Sequence, residues 1–544
     1  MSPRCGREPV TSRSVPTLDR TECPESRSRT GTGSPAPRSA RSLVARCDWH
    51  TCHMKFRDLY FGQADARTEA IRQPEGFVRS FVDHREITAS VVDQGKFLVL
   101  GPKGAGKSAL AWFLQATSRD RGLLVHPRDV SELPIADVAQ LKTGDSPGVS
   151  RSLNAWRFIL LCALINVILE DQGSGLSKNL EAMSVIAKLR EYGFLDPTPK
   201  AAILRASKST WKVPIPHVGE IFSRESSDSL HLAHLLPYLQ KWVSAEDSSH
   251  NRHLLILDGL DSIYLNDAQY IPALSALVQS AWSLNQDLRG AEASGNIVLL
   301  LRNDVFSRLD LPDGGKVRSD WAVELDWRIL SGDAASAPLF ELVDRKSVSL
   351  TGAGPTDVVG TLFPDEIRLQ GRGPERDVYN YLLNLTRHTP RDLLQLLEHI
   401  RRVDAADRGS EFSPRLRQET IREGVLQYAT KYFVDAVRNE LVGRGGSGDS
   451  GRAVVDALRD LGARRFTFDD YKTSLENVSS GVSVPSADEA LRWLFFAGAI
   501  GNEVGNGDTR YLQFFHRRDD NDIYLRGTLL VHNALVYAWA LPWN

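Results

Sequence analysis

The stretch from Phe97 to Leu114, FLVLGPKGAGKSALAWFL, restricts the possible folds more than any other part of the chain. Phe97 to Leu100 is a continuous apolar run, which suits a strand buried on both faces. Leu110, Phe113 and Leu114 then repeat at i, i+3, i+4, the spacing of a one-sided helix. Between them Gly101, Pro102, Lys103, Gly104, Ala105, Gly106, Lys107 and Ser108 fit G-x-x-x-x-G-K-[ST]. In this pattern successive backbone N–H groups wrap a phosphate chain, and the following helix turns its positive end towards it. Glycine is required where a side chain would block the approach. Lys107 is placed to neutralise β- and γ-phosphates, and the Ser108 hydroxyl is sized to ligate Mg²⁺. A glycine-rich hairpin would leave the flanking strand and helix patterns unexplained.

With 544 residues the chain has room for two to four domains. Its net charge of −2 gives no global attraction to nucleic acid or anionic membrane, so any such contact must be local. The most apolar run, Ile159 to Leu169, falls short of the about 20 residues that cross a bilayer, and we expect a cytoplasmic protein with no membrane contact. Residues 1–53 are rich in Ser, Arg, Pro and Thr without periodicity, the composition of a disordered tail. Met54 opens the first ordered-looking sequence and is a candidate translation start; peptides recovered upstream of it would refute that. Of the five cysteines, Cys5, Cys23, Cys47 and Cys52 fall in the tail and Cys162 in the body, so no disulfide framework is expected. Cys47, Cys52 and His53 lack the second cysteine pair of a zinc site.

Further along, FRDLYFGQADA (Phe56 to Ala66) is a lead-in segment that either covers the nucleotide base or packs on the surface, and a helix pattern runs from about Gly76 to Val92. Gly122 to His126 suits a second strand. Within the long excursion that follows, Trp156, Ile159, Leu160, Ala163, Leu164, Val167 and Ile168 form one apolar helical stripe, which reads as core. Leu230 to Val243 is another helix candidate, and Ser207 to Arg224 reads as irregular. LLILDGLDS, Leu254 to Ser262, is an apolar run ending in acids, where a parallel strand would deliver them to the carboxyl edge of its sheet. Asp258 is the candidate for the Mg²⁺ shell, and Asp261 for polarising the attacking water; Asx turns would also account for acids here. After a helix pattern from Gln269 to Asp287, IVLLLRND (Ile297 to Asp304) ends with Arg302. That cation either senses γ-phosphate or forms a salt bridge with Asp304 or another neighbour. Trp321 to Leu325 can supply a fifth strand, giving an alternating strand and helix pattern.

In HTPRDLLQLLEHI, His388 to Ile400, Thr389 caps a helix, Pro390 takes its first turn and Asp392 completes a capping-box pattern. Arg391 thus projects from a helix start, either towards phosphates or into solvent. GRGGSGDSG, Gly443 to Gly451, has linker composition. Beyond it come a helix with Val454, Leu458 and Leu461 aligned and helices opened by Thr467 to Asp470 and by Ser486 to Glu489. An Asn506-Gly507 hairpin signal and a closing helix over Thr528 to Ala540 complete the pattern of a winged helix. Its third helix offers Asp488, Glu489 and Arg492, a poor reading head for bases. Arg510, Arg517 and Arg518 of the wing are offset by Asp508, Asp519, Asp520 and Asp522, leaving either DNA-backbone contact or protein docking.

With these motifs in order, the chain resembles bacterial STAND- and AAA-type P-loop ATPases that carry a C-terminal winged helix. Gly259 directly after Asp258, with Asp261 beyond, resembles the Walker B variant of NACHT-type ATPases. TPRDLL resembles the second sensor of origin-recognition-type initiators. The resemblance covers roughly Lys55 to Leu541. It implies an α/β P-loop NTPase fold with a parallel sheet of order 5-1-4-3-2 and a helical lid, binding of ATP and Mg²⁺, and nucleotide-dependent rearrangement or homo-oligomer assembly. It also implies Walker A roles for Lys107 and Ser108, a Walker B role for Asp258, and sensor roles for Arg302 and Arg391. The expected layout is a 1–53 tail, a 54–330 ATPase core, a 331–442 lid, a 443–451 linker and a 452–544 winged-helix-like domain. Two features depart from the pattern: no glutamate adjoins Asp258, and no long repeat array follows. No arginine finger can be placed beyond the candidate Arg318. The function expected is a slowly hydrolysing ATP switch acting on DNA or a protein partner, with a non-hydrolysing nucleotide-binding module as the rival. A small-molecule kinase is disfavoured because no acceptor pocket is evident.

Overall fold

The structure is a computed structural model that describes residues 54–130, 148–191, 193–195, 212–213, 230–245, 249–260, 270–328, 333–352, 354–368, 375–407, 415–442, 448–479, 482–505, 511–517 and 522–543. The tail with Cys47, Cys52 and His53, the candidate base Asp261 and the turn Asn506-Gly507 lie outside these residues, as does most of Ser207 to Arg224.

A parallel sheet forms the centre. Its strands are β1 (Leu98–Leu100), β2 (Leu123–Asp129), β3 (Arg252–Asp258), β4 (Gly295–Leu301) and β5 (Ala322–Glu324), in the order β2-β3-β4-β1-β5. Read from the other edge this is 5-1-4-3-2, the order the resemblance implies. Register places Leu98 beside Leu299 and Ala322, and Asp129 beside Asp258. Side chains alternate across the sheet, so Val99, Ile256, Val298 and Leu300 enter one buried cluster, while Leu98, Leu100, Leu255, Leu257 and Leu299 enter another on the opposite face.

Helices α1 (Ala66–Arg72), α2 (Pro74–Ser80) and α3 (Lys107–Ala116) precede the long excursion, which contributes α4 (Gly148–Leu169). That helix packs on α5 (Tyr270–Gly290), where the Trp156 indole donates to the Ala273 carbonyl at 2.9 Å, and both cover the second face. The sequence assigned the excursion no role; its main helix roofs the sheet. The helix expected over Gly76 to Val92 is broken after Ser80. Arg85 and Glu86 take φ of 58° and 54°, and Asp83 accepts from the Thr88 N–H, so a kinked turn restarts the chain at Ile87.

Beyond β5, α6 (Pro338–Ser347), α7 (Pro390–Ala406), α8 (Gln418–Tyr428) and α9 (Val434–Val442) follow. A single π turn, Ala429–Phe433, joins α8 to α9. Residues 443–447 of the linker-like stretch lie outside the described residues, and 448–451 already form the first turn of α10 (Gly448–Asp460). Then come α11 (Phe468–Val478), α12 (Ala487–Phe496) and α13 (Asn533–Ala538), with strands β6 (Arg465–Phe466), β7 (Ile500–Val504), β8 (Tyr511–Phe514) and β9 (Thr528–Val531) in the order β6-β9-β7-β8. Three helices with a β7–β8 hairpin form a winged helix. The closing helix is shorter than expected: Thr528–Val531 pairs between β6 and β7, and helix begins only after His532, whose ring caps the Ala534 N–H. A strand of apolar residues has no local mark that separates it from a helix segment. No helix among the described residues is long and apolar enough to cross a membrane.

Candidate nucleotide site

The chain from β1 to α3 forms the loop that its sequence announces. Gly104 and Gly106 take φ of 84° and 99°, and a Cβ on Gly106 would meet nothing within 4 Å, so backbone conformation and not crowding makes it glycine. The buried Lys107 folds over the loop, its Nζ donating to the carbonyls of Gly101 and Pro102 at 3.0 Å each. Ala105, whose carbonyl accepts from the Trp327 indole at 2.8 Å, ties the loop to the segment after β5.

The loop floors a cavity of about 410 Å³, a size suited to a small ligand. Lys103, Gly104, Ala105, Gly106, Lys107 and Ser108 line it, joined by Asp258 at the carboxyl end of β3 and Asp129 at the end of β2. Asp65 of the lead-in and Phe81 and His84 beyond it also line the cavity. Phe81 stacks on Phe113 with ring centroids 3.9 Å apart, and His84 Nε2 lies 2.8 Å from the Asp326 carbonyl. Gln63, Ala64, Asp65 and Ala66 of the lead-in thus line the cavity.

Helix α7 closes the cavity from the lid side. Thr389 caps it by accepting from the Asp392 N–H, as the sequence indicated, but the reciprocal half of the box is absent. The Asp392 carboxylate turns instead to Arg387, accepting from Nε at 2.8 Å, from Nη2 at 2.9 Å and from the backbone N–H at 3.0 Å. Burial opposes charge on Asp392, but Arg387 outweighs it and holds the carboxyl below its ordinary range. This pair fixes the helix start so that the Arg391 N–H donates to the Gly104 carbonyl at 3.3 Å. A Cβ on Gly104 would lie 3.0 Å from the Arg391 Cβ, and Arg391 lines the cavity beside Lys103.

Of the two candidate sensors, Arg391 lines this cavity and Arg302 does not. Arg302, following β4, is only 6% exposed and is absent from the cavity lining. It binds Asp304 through Nε and Nη2 at 2.9 Å each, as its alternative reading proposed, and its Nη2 lies 2.6 Å from Glu440 of α9. Arg387 Nη1 approaches the same glutamate at 4.0 Å. Glu440 and Asp129 escaped the sequence reading. Only the position of Asp129 at the end of a strand-like run could have signalled it. Arg318 pairs with Glu324 at 2.7 Å.

In the winged helix several of the described basic residues are engaged within the protein, while Asp508, Arg510, Arg518, Asp519 and Asp520 lie outside the described residues. Arg492 binds Asp488 at 3.0 Å and also Asp522, and Arg465 binds Glu503 at 3.0 Å. Arg517 donates to Asn384 at 2.6 Å, and burial lowers its pKa to about 10.

Chemically, the donor set fits a nucleoside triphosphate with a divalent cation: turned-out glycines and a lysine for phosphates, a hydroxyl and a carboxylate for the metal. Sheet order and loop define an α/β P-loop NTPase fold carrying a winged helix. No protein-family model and no curated protein matches the chain. Among solved structures it is similar to the Orc1 protein of Aeropyrum pernix, described in complex with DNA, at 16% identity over 81% of this chain and 93% of that one, with a TM-score of 0.35. It is also similar to Cdc6p of Pyrobaculum aerophilum, at 13% identity over the same shares and a TM-score of 0.27. At these scores the likenesses carry no weight here, and the fold class rests on the sheet and the loop.

Proposed function

We propose that the chain is an ATP-binding, slowly hydrolysing switch whose nucleotide state passes through a lid (331–442) and the winged helix (452–544) to DNA or a protein partner. The observation that carries this reading is the contact of the α7 start with the loop: the Arg391 N–H meets the Gly104 carbonyl at 3.3 Å. A phosphate bound against Lys107 would share the cavity that Arg391 lines, so occupancy bears on the position of the lid. Lys107 and the loop amides would hold the phosphates, and Ser108 and Asp258 the Mg²⁺, which would neutralise charge developing on them. Asp261 remains proposed to polarise the attacking water, as in the NACHT-like motif. For Arg302 to serve as first sensor it would have to leave Asp304 and Glu440, so a structural role is better supported. Nucleotide-dependent self-assembly belongs to the same reading.

The rival, a non-hydrolysing binding module, draws support from Gly259, which puts no carboxylate directly after Asp258. ATP turnover of the full chain, with and without duplex DNA, separates the two. Wild-type turnover should fall at least tenfold in Lys107→Ala and in Asp261→Asn; turnover indifferent to both substitutions would refute the site.

A further inference from the structure

Strand β3 ends at Asp258 and Gly259 follows it, so the residue after the candidate metal ligand brings no side chain. Its neighbour β2 ends in Asp129, the register partner of Asp258. Gly259 holds φ at 76°, and a Cβ built there would lie 3.0 Å from one Asp129 carboxylate oxygen and 3.3 Å from the other. The Asp129 carboxylate therefore occupies the space into which a side chain at position 259 would project. It does so at the rim of the phosphate cavity, which Asp129 lines together with Lys107, Ser108, Asp258 and Arg391. Glycine at 259 and an acid at the end of the next strand are thus complementary: the first leaves a gap and the second fills it with the missing functional group.

We propose that Asp129 is the catalytic carboxylate of ATP hydrolysis, delivered by strand β2 in place of an acid after Asp258. This rests on the ATPase reading and adds a residue to it: Asp129 receives the water proton, beside Asp261 as the residue proposed to polarise the water. The water oxygen forms its bond to the γ-phosphorus, and the bond from that phosphorus to the β–γ bridging oxygen breaks, with its electron pair leaving on ADP. One water proton passes to the Asp129 carboxylate, and from there to solvent. A positioned carboxylate of this kind contributes about 10²–10⁴-fold to the rate. Asp129 is exposed at a strand end, so the isosteric Asp129→Asn is the most conservative way to remove its charge.

The test uses the full chain with Mg²⁺ and two readouts: equilibrium binding of a fluorescent N-methylanthraniloyl ATP, and the ATP:ADP composition of bound nucleotide after acid quench in a single turnover. Asp129→Asn is expected to bind the analogue within about threefold of wild type while bound ATP persists at least tenfold longer. Cleavage at the wild-type rate in Asp129→Asn overturns the inference, as does a loss of binding that matches the loss of cleavage, since Asp129 would then hold ligand and not activate water. Wild type that binds the analogue but never cleaves ATP also overturns it, leaving nucleotide binding intact. Wild type that fails to bind removes the ATPase reading itself, and the inference falls with it.

Discussion

Arg387 and Asp392 show how single residues set the site. Asp392 is buried and the Arg387 side chain is only 12% exposed, and each is the other's main counter-charge, with the Tyr432 hydroxyl donating to the same carboxylate at 2.9 Å. Removing one member leaves an uncompensated buried charge, a loss of about 3–5 kcal/mol. Asp392→Ala should therefore lower the denaturant midpoint markedly and detach Arg391 from the loop, whereas Arg391→Ala, which leaves the pair in place, should cost little stability; urea titration of both variants checks the contrast. Three histidines lie nearby, His532 buried and His388 and His516 half-buried, with the His516 ring centroid 5.5 Å from that of His388 and 5.4 Å from that of His532. Burial, reinforced by Arg517, pushes His388 and His532 down to about 3. The unfolded chain takes up these protons near the ordinary value of about 6.5, so between 6.5 and 3 the unfolded state binds more protons than the folded one. Stability that is complete above pH 6.5 is thus lost as pH falls towards 3. We expect a loss of ~1.4 kcal/mol per histidine between pH 7.5 and 5.5. His388→Asn with His532→Asn should flatten that slope, since asparagine tolerates the φ of 54° at 388 and can cap α13 at 532.

At the scale of elements, α7 and α8 cross at Gly424, where an added Cβ would sit 2.5 Å from the Ile400 Cα. Backbone cannot yield as a side-chain tip can, so Gly424→Ala should destabilise by about 1–3 kcal/mol, against the gain that glycine-to-alanine brings in an ordinary helix. Urea titration and nucleotide affinity measured on the same variant would show whether the strain reaches the α7 start. Legibility in the sequence follows the range of the interactions. The P-loop, the five core strands and the caps at Thr389 and Thr467 are written within a few residues of one another and could be read directly. The kink at Arg85 and Glu86 depends on Asp83 accepting from Thr88, and β9 forms because β6 and β7 wait on either side of it. Asp129 meets Gly259 and Arg302 meets Glu440 only because the sheet and the lid bring them together, which no local pattern encodes.

For the molecule as a whole, one buried apolar cluster runs without interruption from Val99 and Leu110 beside the loop, through Leu393 and Ile421 of the lid, to Leu491 and Leu535 of the winged helix. Such continuity couples the stability of the parts. Heating should therefore give a single calorimetric transition, and ATP with Mg²⁺ at 100 times its dissociation constant should raise the stability by about 2.7 kcal/mol. Calorimetry in which two transitions separate, with nucleotide moving only the lower, would contradict this coupling.

The π turn at Ala429–Phe433 lies on this same route. A π turn is an α-helix that has taken in one extra residue, and each residue of a helix advances its direction by about 100°. The turn therefore acts as a phase setting between the lid and everything beyond it. With it in place, Phe433 stacks on His532 at 4.6 Å while, further along the chain, Glu440 points back at Arg302. Were the chain one residue shorter there, α9 would rotate by about 100°, and those two contacts, one to the winged helix and one to the ATPase sheet, would be lost together.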